Sequence, residues 1–210
     1  KDLRRSGLTQ NDITKLKLTP LNSKKTYSIT NKKAASYKIP YFNIDGKLTD
    51  FYRIRFLEDP TKFGKSKKPQ RYSQPPDTLP HLYFPPYINW KEYSKDITKD
   101  IVITEGEKKA AKACKEGLPC IGLGGVWSFM SKKHNKELID DFDLIEWKER
   151  EVYLTFDSDL ATNSDVLKAL NTLCKRLMNK GAMVYIKFLP EAPNGEKQGL
   201  DDFLINNTLD

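Results

Sequence analysis

From residue 98 onward, short apolar runs alternate with amphipathic stretches, and this alternation restricts the fold more than any other feature of the chain. "DIVITEG", "LPCIGLGG", "EVYLTFD" and "AMVYIKFLP" read as four strands rich in Val, Ile and Leu. Between them lie "EKKAAKACKEG", a helix built on Ala, Glu and Lys and stopped by Gly117, and "NSDVLKALNTLCKRLMNKG". In the latter, Asn163 or Ser164 caps the start. Val166, Leu167, Leu170, Leu173, Cys174 and Leu177 make an apolar stripe, and Gly181 ends it. A helix is expected near "KELIDDF" and a short closing helix at "LDDFLIN". Nearly continuous apolar strands alternating with helices predict an α/β fold, a parallel sheet with helices on its faces.

The upstream residues have a different rhythm. Residues 1–34 are polar and basic; in "LTQNDITKLKL", Leu8, Ile13, Leu16 and Leu18 stand near helical spacing, with Thr9 or Asn11 as candidate caps. This predicts a basic helical arm. Residues 35–97 read as a small, basic, β-rich (α+β) subdomain. A turn is expected at Asp45-Gly46, followed by alternation of Phe51, Arg53 and Arg55 against Tyr52, Ile54 and Phe56, which puts an apolar and a basic face on one strand. "KFGKSKKPQRYSQPPDTLPHLYFPP" predicts a loop with short strand pieces at Arg71-Tyr72 and Leu82-Tyr83-Phe84. Residues 98–210 form the third zone.

Charge divides along the same line. Residues 1–100 carry 21 Lys/Arg against 10 Asp/Glu, whereas residues 101–210 carry 15 against 18. A basic first half suits a polyanion, because phosphate contacts release counterions and give affinity without sequence preference. No apolar run approaches a membrane span, and no signal-peptide pattern opens the chain, so a cytoplasmic protein without membrane attachment is expected. The first residue is Lys1, consistent with a fragment. Cys114, Cys120 and Cys174 lack CxxC spacing and read as reduced, buried thiols.

In an open parallel sheet, sites gather at the carboxyl ends of the strands. Asp157 and Asp159 end the third strand and Glu105 ends the first; Asp201 and Asp202 follow the loop "EAPNGEKQGL". If the first and third strands are neighbours, roughly 4.8 Å apart, the acids crowd one edge and a hard divalent cation, Mg²⁺ or Mn²⁺, relieves their repulsion. Alone, each signal also reads blandly, the DxD as a solvated loop and the Glu-Gly as a turn. "GLGG", with Gly122, Gly124 and Gly125, fits a tight turn better than a phosphate loop. His81 and His134 read as surface or packing residues, and Trp127 as core.

Residues 100–210 resemble the Toprim domain shared by bacterial-type primases, type IA and II topoisomerases and certain nucleases, on "VITEGE" (102–107), "FDSD" (156–159) and "KQGLDDFL" (197–204). Upstream, "IPYFNIDGKLTDFYRIRF", "RYSQP" and "LYFPP" resemble the basic subdomain that precedes Toprim in bacterial primases and related proteins of phages and mobile elements. The resemblance implies Glu105 as general acid or base, Asp157 and Asp159 as the metal pair, and Asp201 or Asp202 as an acid near a second Mg²⁺ or Mn²⁺. It places Arg53, Arg55, Lys67, Lys68 and Arg71 at template and nucleotide phosphates, with Tyr72, Lys108 and Lys109 as further contacts. Tyr52, Tyr72 or Tyr83 are candidate base-stacking platforms or core residues. Where bacterial primases often carry an aspartate four residues after the glutamate, this chain has Lys109. The zinc-binding domain that usually precedes primase cores is not in this sequence.

The implied function is metal-dependent primer synthesis on a single-stranded DNA template from nucleoside triphosphates, in phage or mobile-element replication, with a helicase in the same chain or complex. Two alternatives stay open. One is a catalytically inactive Toprim-like module that binds single-stranded DNA for a replicative helicase; the other is a Toprim nuclease.

Overall fold

The computed structural model describes residues 1–59, 69–132, 135, 137–158 and 163–207. Two four-stranded sheets organise them. The first is antiparallel, in the order β1 (Thr19–Leu21), β2 (Ser36–Phe42), β3 (Leu48–Phe56), β4 (Tyr72–Ser73). The turn at Asp45-Gly46 joins β2 to β3, and Gly46 adopts φ +75°, a conformation costly for a residue with a Cβ.

The second sheet is parallel, in the order β6 (Cys120–Leu123), β5 (Ile101–Glu105), β7 (Glu151–Thr155), β8 (Met183–Lys187). This is the α/β architecture expected from the alternation. Ile101, Ile103, Val152 and Leu154 of the two central strands are fully buried. By contrast, β8 is an edge strand on which Met183 and Tyr185 are exposed while Val184 and Ile186 pack inward. Its apolar run therefore corrects the expectation of a strand covered on both faces. Tyr185 covers part of its outer face by stacking on Tyr153, ring centroids 5.3 Å apart.

Helices cover this sheet as the sequence pattern requires. α5 (Glu107–Lys115) turns Ala110, Ala111, Ala113 and Cys114 inward. Small residues there let it approach β6 so closely that a Cβ at Gly122 would stand 3.1 Å from that of Ala110. α6 (Ser164–Asn179) buries Ala169, Leu170, Leu173 and Leu177, is capped by the Asn163 side chain, and is followed by Gly181 at φ +88°. Leu167, expected in its stripe, is 37% exposed. α7 (Leu200–Asn206) packs against α5.

Near "KELIDDF" the chain forms a 3-10 turn, Asp140–Leu144, in place of the expected α-helix. The Asp141 carboxylate there accepts the Leu82 backbone N–H at 2.7 Å, and the Phe142 carbonyl accepts the Trp147 indole N–H at 2.6 Å. Those bonds tie the turn to the segment at Leu82 and to the residues that follow it.

The N-terminal residues are built into the body. α1 (Asp2–Arg5) leads to α2 (Gln10–Lys15), whose capping box pairs Thr9 with Asp12, and Leu8, Leu16 and Leu18 join the main core. α3 (Ser23–Thr30) follows β1. Segment 82–84 forms a single antiparallel bridge, Tyr83 to Gly122, where a strand piece was expected. Tyr83 then stacks edge-on against Tyr41, which does the same with Phe51, so an aromatic seam joins the two sheets. After α4 (Trp90–Tyr93), Arg150 is fully buried, and its guanidinium donates to the carbonyls of Tyr93, Ser94, Lys99 and Glu146. Four acceptors compensate the loss of water around that charge. Cys114 and Cys120 are buried as expected, while Cys174 is half-buried; all three are free thiols. Among the described residues no helix is long and apolar enough to cross a membrane.

Candidate functional site

Parallel strands bring their carboxyl ends to one edge. Here β5 delivers Glu105, β7 leads into Asp157 and Ser158, and β6 leads into Gly124 and Gly125. Because β5 lies between β6 and β7, Glu105 and Asp157 leave from neighbouring strands, as the acid pattern required. The loop before α7 closes over Asp157. Ser158 donates its backbone N–H to the Gln198 carbonyl at 3.0 Å, and the Gln198 N–H returns a bond to Ser158 Oγ at 2.9 Å.

That closure assembles a charged cluster. Asp157 is only 8% exposed. One of its carboxylate oxygens is held by Lys109 Nζ, and the other by Lys197 Nζ at 2.9 Å. Asp201, 5% exposed, reaches the same spot: a Cβ on Gly199 would lie 2.9 Å from Asp201 Oδ1, 2.9 Å from Lys109 Cε and 3.3 Å from Asp157 Oδ1. Gly199 thus leaves the room in which two carboxylates and a lysine meet. Of the two acids offered by "LDDF", Asp201 is the buried member of this cluster. Asp202 is exposed and accepts the Gly199 backbone N–H at 3.1 Å, capping α7.

Glu105 is half-buried at the same edge. Among the described residues no group of three or more His, Cys, Asp or Glu stands close enough to hold a metal ion. Asp159, Lys67, Lys68 and His134 lie outside the described residues.

A second polar junction joins this edge to the antiparallel sheet. Glu107, the first residue of α5, is 1% exposed. Its Oε1 accepts from Arg53 Nη1 at 2.7 Å and from the Tyr41 hydroxyl at 2.8 Å, and Arg53 Nη1 also reaches the Gly124 carbonyl at 2.5 Å. Burial pulls the Arg53 guanidinium down, but the Glu107 carboxylate together with Tyr41 and Tyr72 more than offsets this and pushes it up. Burial, and then Glu107, push the Tyr41 phenol up, so it stays a donor. Arg53 is therefore a bolt between β3, α5 and the β6 loop. The expected basic face of β3 is turned inward, because that strand face meets the parallel sheet. Nothing local in "EGE" marked Glu107; its partner is 54 residues away in sequence.

Arg55 pairs with Asp2 at 3.5 Å, and Lys108 reaches the same carboxylate at 3.2 Å. Burial raises the Asp2 carboxyl, but Lys108, the Tyr37 hydroxyl and Arg55 together hold it below the usual range. Tyr72 lies under both guanidinia, 4.4 Å from Arg53 and 4.9 Å from Arg55. Its ring is taken by the protein's own cations. Tyr83 is 1% exposed and is core, not a stacking platform. Tyr52 is half-buried beneath Lys38, 4.2 Å from its ring centre, and Arg71 is exposed. His81 pairs with Asp141 at 3.1 Å, and Trp127 is partly exposed, its indole N–H on Asp165. His81, its side chain 42% exposed, is a surface residue as expected, whereas Trp127 is at the margin of the core and not inside it.

Comparison with solved structures finds a similar fold in the RNA polymerase domain of the Mycobacterium tuberculosis primase DnaG. One crystal structure matches with a TM-score of 0.60 and 14% identity, over 97% of this chain and 70% of that chain. Another, of the same domain in complex with double-stranded DNA, matches with a TM-score of 0.60 and 15% identity, over 99% of this chain and 68% of that chain. At such identity the likeness is one of fold. No curated protein matches the sequence. The family model that does match spans residues 89–210, from the start of α4 through the whole parallel sheet, and on it the chain belongs to the family described as a domain of unknown function, DUF3854.

Proposed function

We propose that the chain is a primase-type nucleotidyltransferase core of Toprim kind, making primers on single-stranded DNA in phage or mobile-element replication beside a helicase. The observation that carries this reading is the meeting of Asp157, Asp201 and Lys109 around Gly199 at the carboxyl edge, to which the neighbouring strand β5 also delivers Glu105. The fold shared with a primase polymerase domain supports it.

In this reading Glu105 moves the proton of the attacking 3′-hydroxyl, the task for which a half-buried carboxylate at a strand end is suited. Asp157 and Asp201 are hard oxygen donors, fit to hold one Mg²⁺ or Mn²⁺ once a lysine gives way. Such an ion, when bound, supplies positive charge to the triphosphate. Exposed Arg71 orients template and nucleotide phosphates at the rim, while Arg55 and Lys108 are held inward by Asp2. The Arg53–Glu107 bolt keeps the two sheets in register around that rim. A second reading, a module that grips single-stranded DNA without joining nucleotides, is favoured by one observation: both oxygens of Asp157 are already held by lysines.

Two measurements test the proposal. Labelled nucleotides, single-stranded DNA and Mg²⁺ or Mn²⁺ are expected to yield short primers; DNA cutting in their place would favour the nuclease alternative. Binding to single-stranded DNA is expected to fall with salt, log K against log salt sloping by about −0.7 per phosphate contacted. Arg71→Glu is expected to weaken binding to all sequences alike and flatten that slope by about one contact. A salt-independent affinity would remove the electrostatic track.

A further inference from the structure

Lys109 and Lys197 both hold Asp157, yet they are not equivalent. Lys109 is the third residue of α5, so its stem is rooted on a helix packed against the sheet. Its side chain is 19% exposed and is walled in at Gly199, where any Cβ would stand 2.9 Å from its Cε. Lys197 reaches in from the loop before α7, and its side chain is 49% exposed. Asp157 and Asp201 bring two negative charges to this spot, and the two lysines bring two positive ones. Among the described residues, these two acids are thus balanced by the chain's own two lysines. A divalent ion arriving here meets competition from two ammoniums, of which the loop lysine, 49% exposed against 19%, is the more easily displaced toward water. A second divalent ion would be forced against the helix-rooted ammonium at short range, in a half-dry site where screening is weak.

We propose that Lys109 stands in place of a second divalent cation, so that this edge binds one divalent ion, and that Lys197 is the partner which that ion displaces. The proposal rests on the reading of the edge as a metal-dependent phosphoryl-transfer centre. Lys109 is then a positioning residue with a fixed positive charge, present whether or not metal is bound, beside the carboxylate that would carry the ion.

The test is Mn²⁺ binding to the whole chain, counted by electron paramagnetic resonance and calorimetry, with thermal melting alongside. Wild type is expected to bind one Mn²⁺ in an Asp157-dependent way. Lys197→Met removes the competitor and is expected to bind that one ion about tenfold more tightly. Lys109→Met is expected to bind a second Mn²⁺, lost again in Lys109→Met/Asp157→Asn. Without metal Lys109→Met should melt lower than wild type, and Mn²⁺ should restore it; a lysine with a purely structural role would give no such recovery. Lys109→Arg keeps the charge and is expected to bind one ion. Two Asp157-dependent Mn²⁺ ions in wild type, or one in Lys109→Met, would overturn the proposal while leaving the metal-dependent reading in place. No Mn²⁺ binding by any variant would overturn both. If Lys109→Met fails to fold, Lys197→Met carries the test, and an unchanged affinity there overturns the proposal.

Discussion

Arg53→Met is expected to lower the unfolding free energy by about 3–5 kcal/mol, the usual cost of stripping one partner from a buried ion pair. For a chain of this size that is a fall of roughly 6–20 °C in melting temperature. The cause is Glu107, whose side chain is 2% exposed and whose Oε1 would keep only the Tyr41 hydroxyl. Among the described residues Glu107 Oε2 and Arg53 Nε already lack hydrogen-bond partners, so the pair carries a desolvation cost even when intact. The double variant Arg53→Met/Glu107→Leu is therefore expected to recover most of the loss, since a buried pair replaced by apolar residues of similar volume is often neutral or better. Thermal melts of the three proteins check this. An Arg53→Met that melts within a degree or two of wild type would show that the junction does not hold the sheets together. The same result bears on any DNA-binding role for Arg53, because a drop in DNA affinity in Arg53→Met is interpretable only at a temperature where the variant is folded.

Glu105→Gln is expected to reduce primer synthesis by about 10²–10⁴-fold, the usual contribution of a positioned acid–base group. Glutamine keeps the size and hydrogen-bonding capacity of the side chain and removes its charge and basicity. Affinity for single-stranded DNA is expected to stay unchanged, because exposed Arg71 is untouched. Primer yield and DNA affinity measured side by side separate the readings. A wild type that makes no primer with either metal, matched by Glu105→Gln in every DNA-binding assay, would leave the binding-module reading standing. A wild type that cuts DNA in Mn²⁺, with the cutting lost in Glu105→Gln, would replace it with a nuclease.

Local signals were enough for most elements of the parallel sheet. "DIVITEG" became β5 and "EVYLTFD" became β7 because short Val/Ile/Leu runs suit strands covered on both faces. The Thr9 cap and Gly181 mark helix ends by chemistry that acts within a few residues. The acids at the ends of β5 and β7 were legible for the same reason: parallel strands must deliver their ends to one edge, and β5 and β7 are neighbours. What only the tertiary structure decided was which partner each charge meets. Arg53 reads as one face of an alternating strand, but whether that face meets water or another sheet depends on what packs over it, and Glu107 does. Lys109 was expected at a nucleotide phosphate, yet the turn of α5 and the empty space at Gly199 bring its ammonium onto Asp157. Likewise the apolar run of β8 matches that of a central strand, and only the order β6-β5-β7-β8 puts it at the edge. Periodicity and capping are properties of a few neighbouring residues, and the sequence by itself determined them. Ion pairs across 48 or 54 residues, and the choice between edge and centre, arise only when distant segments share one core.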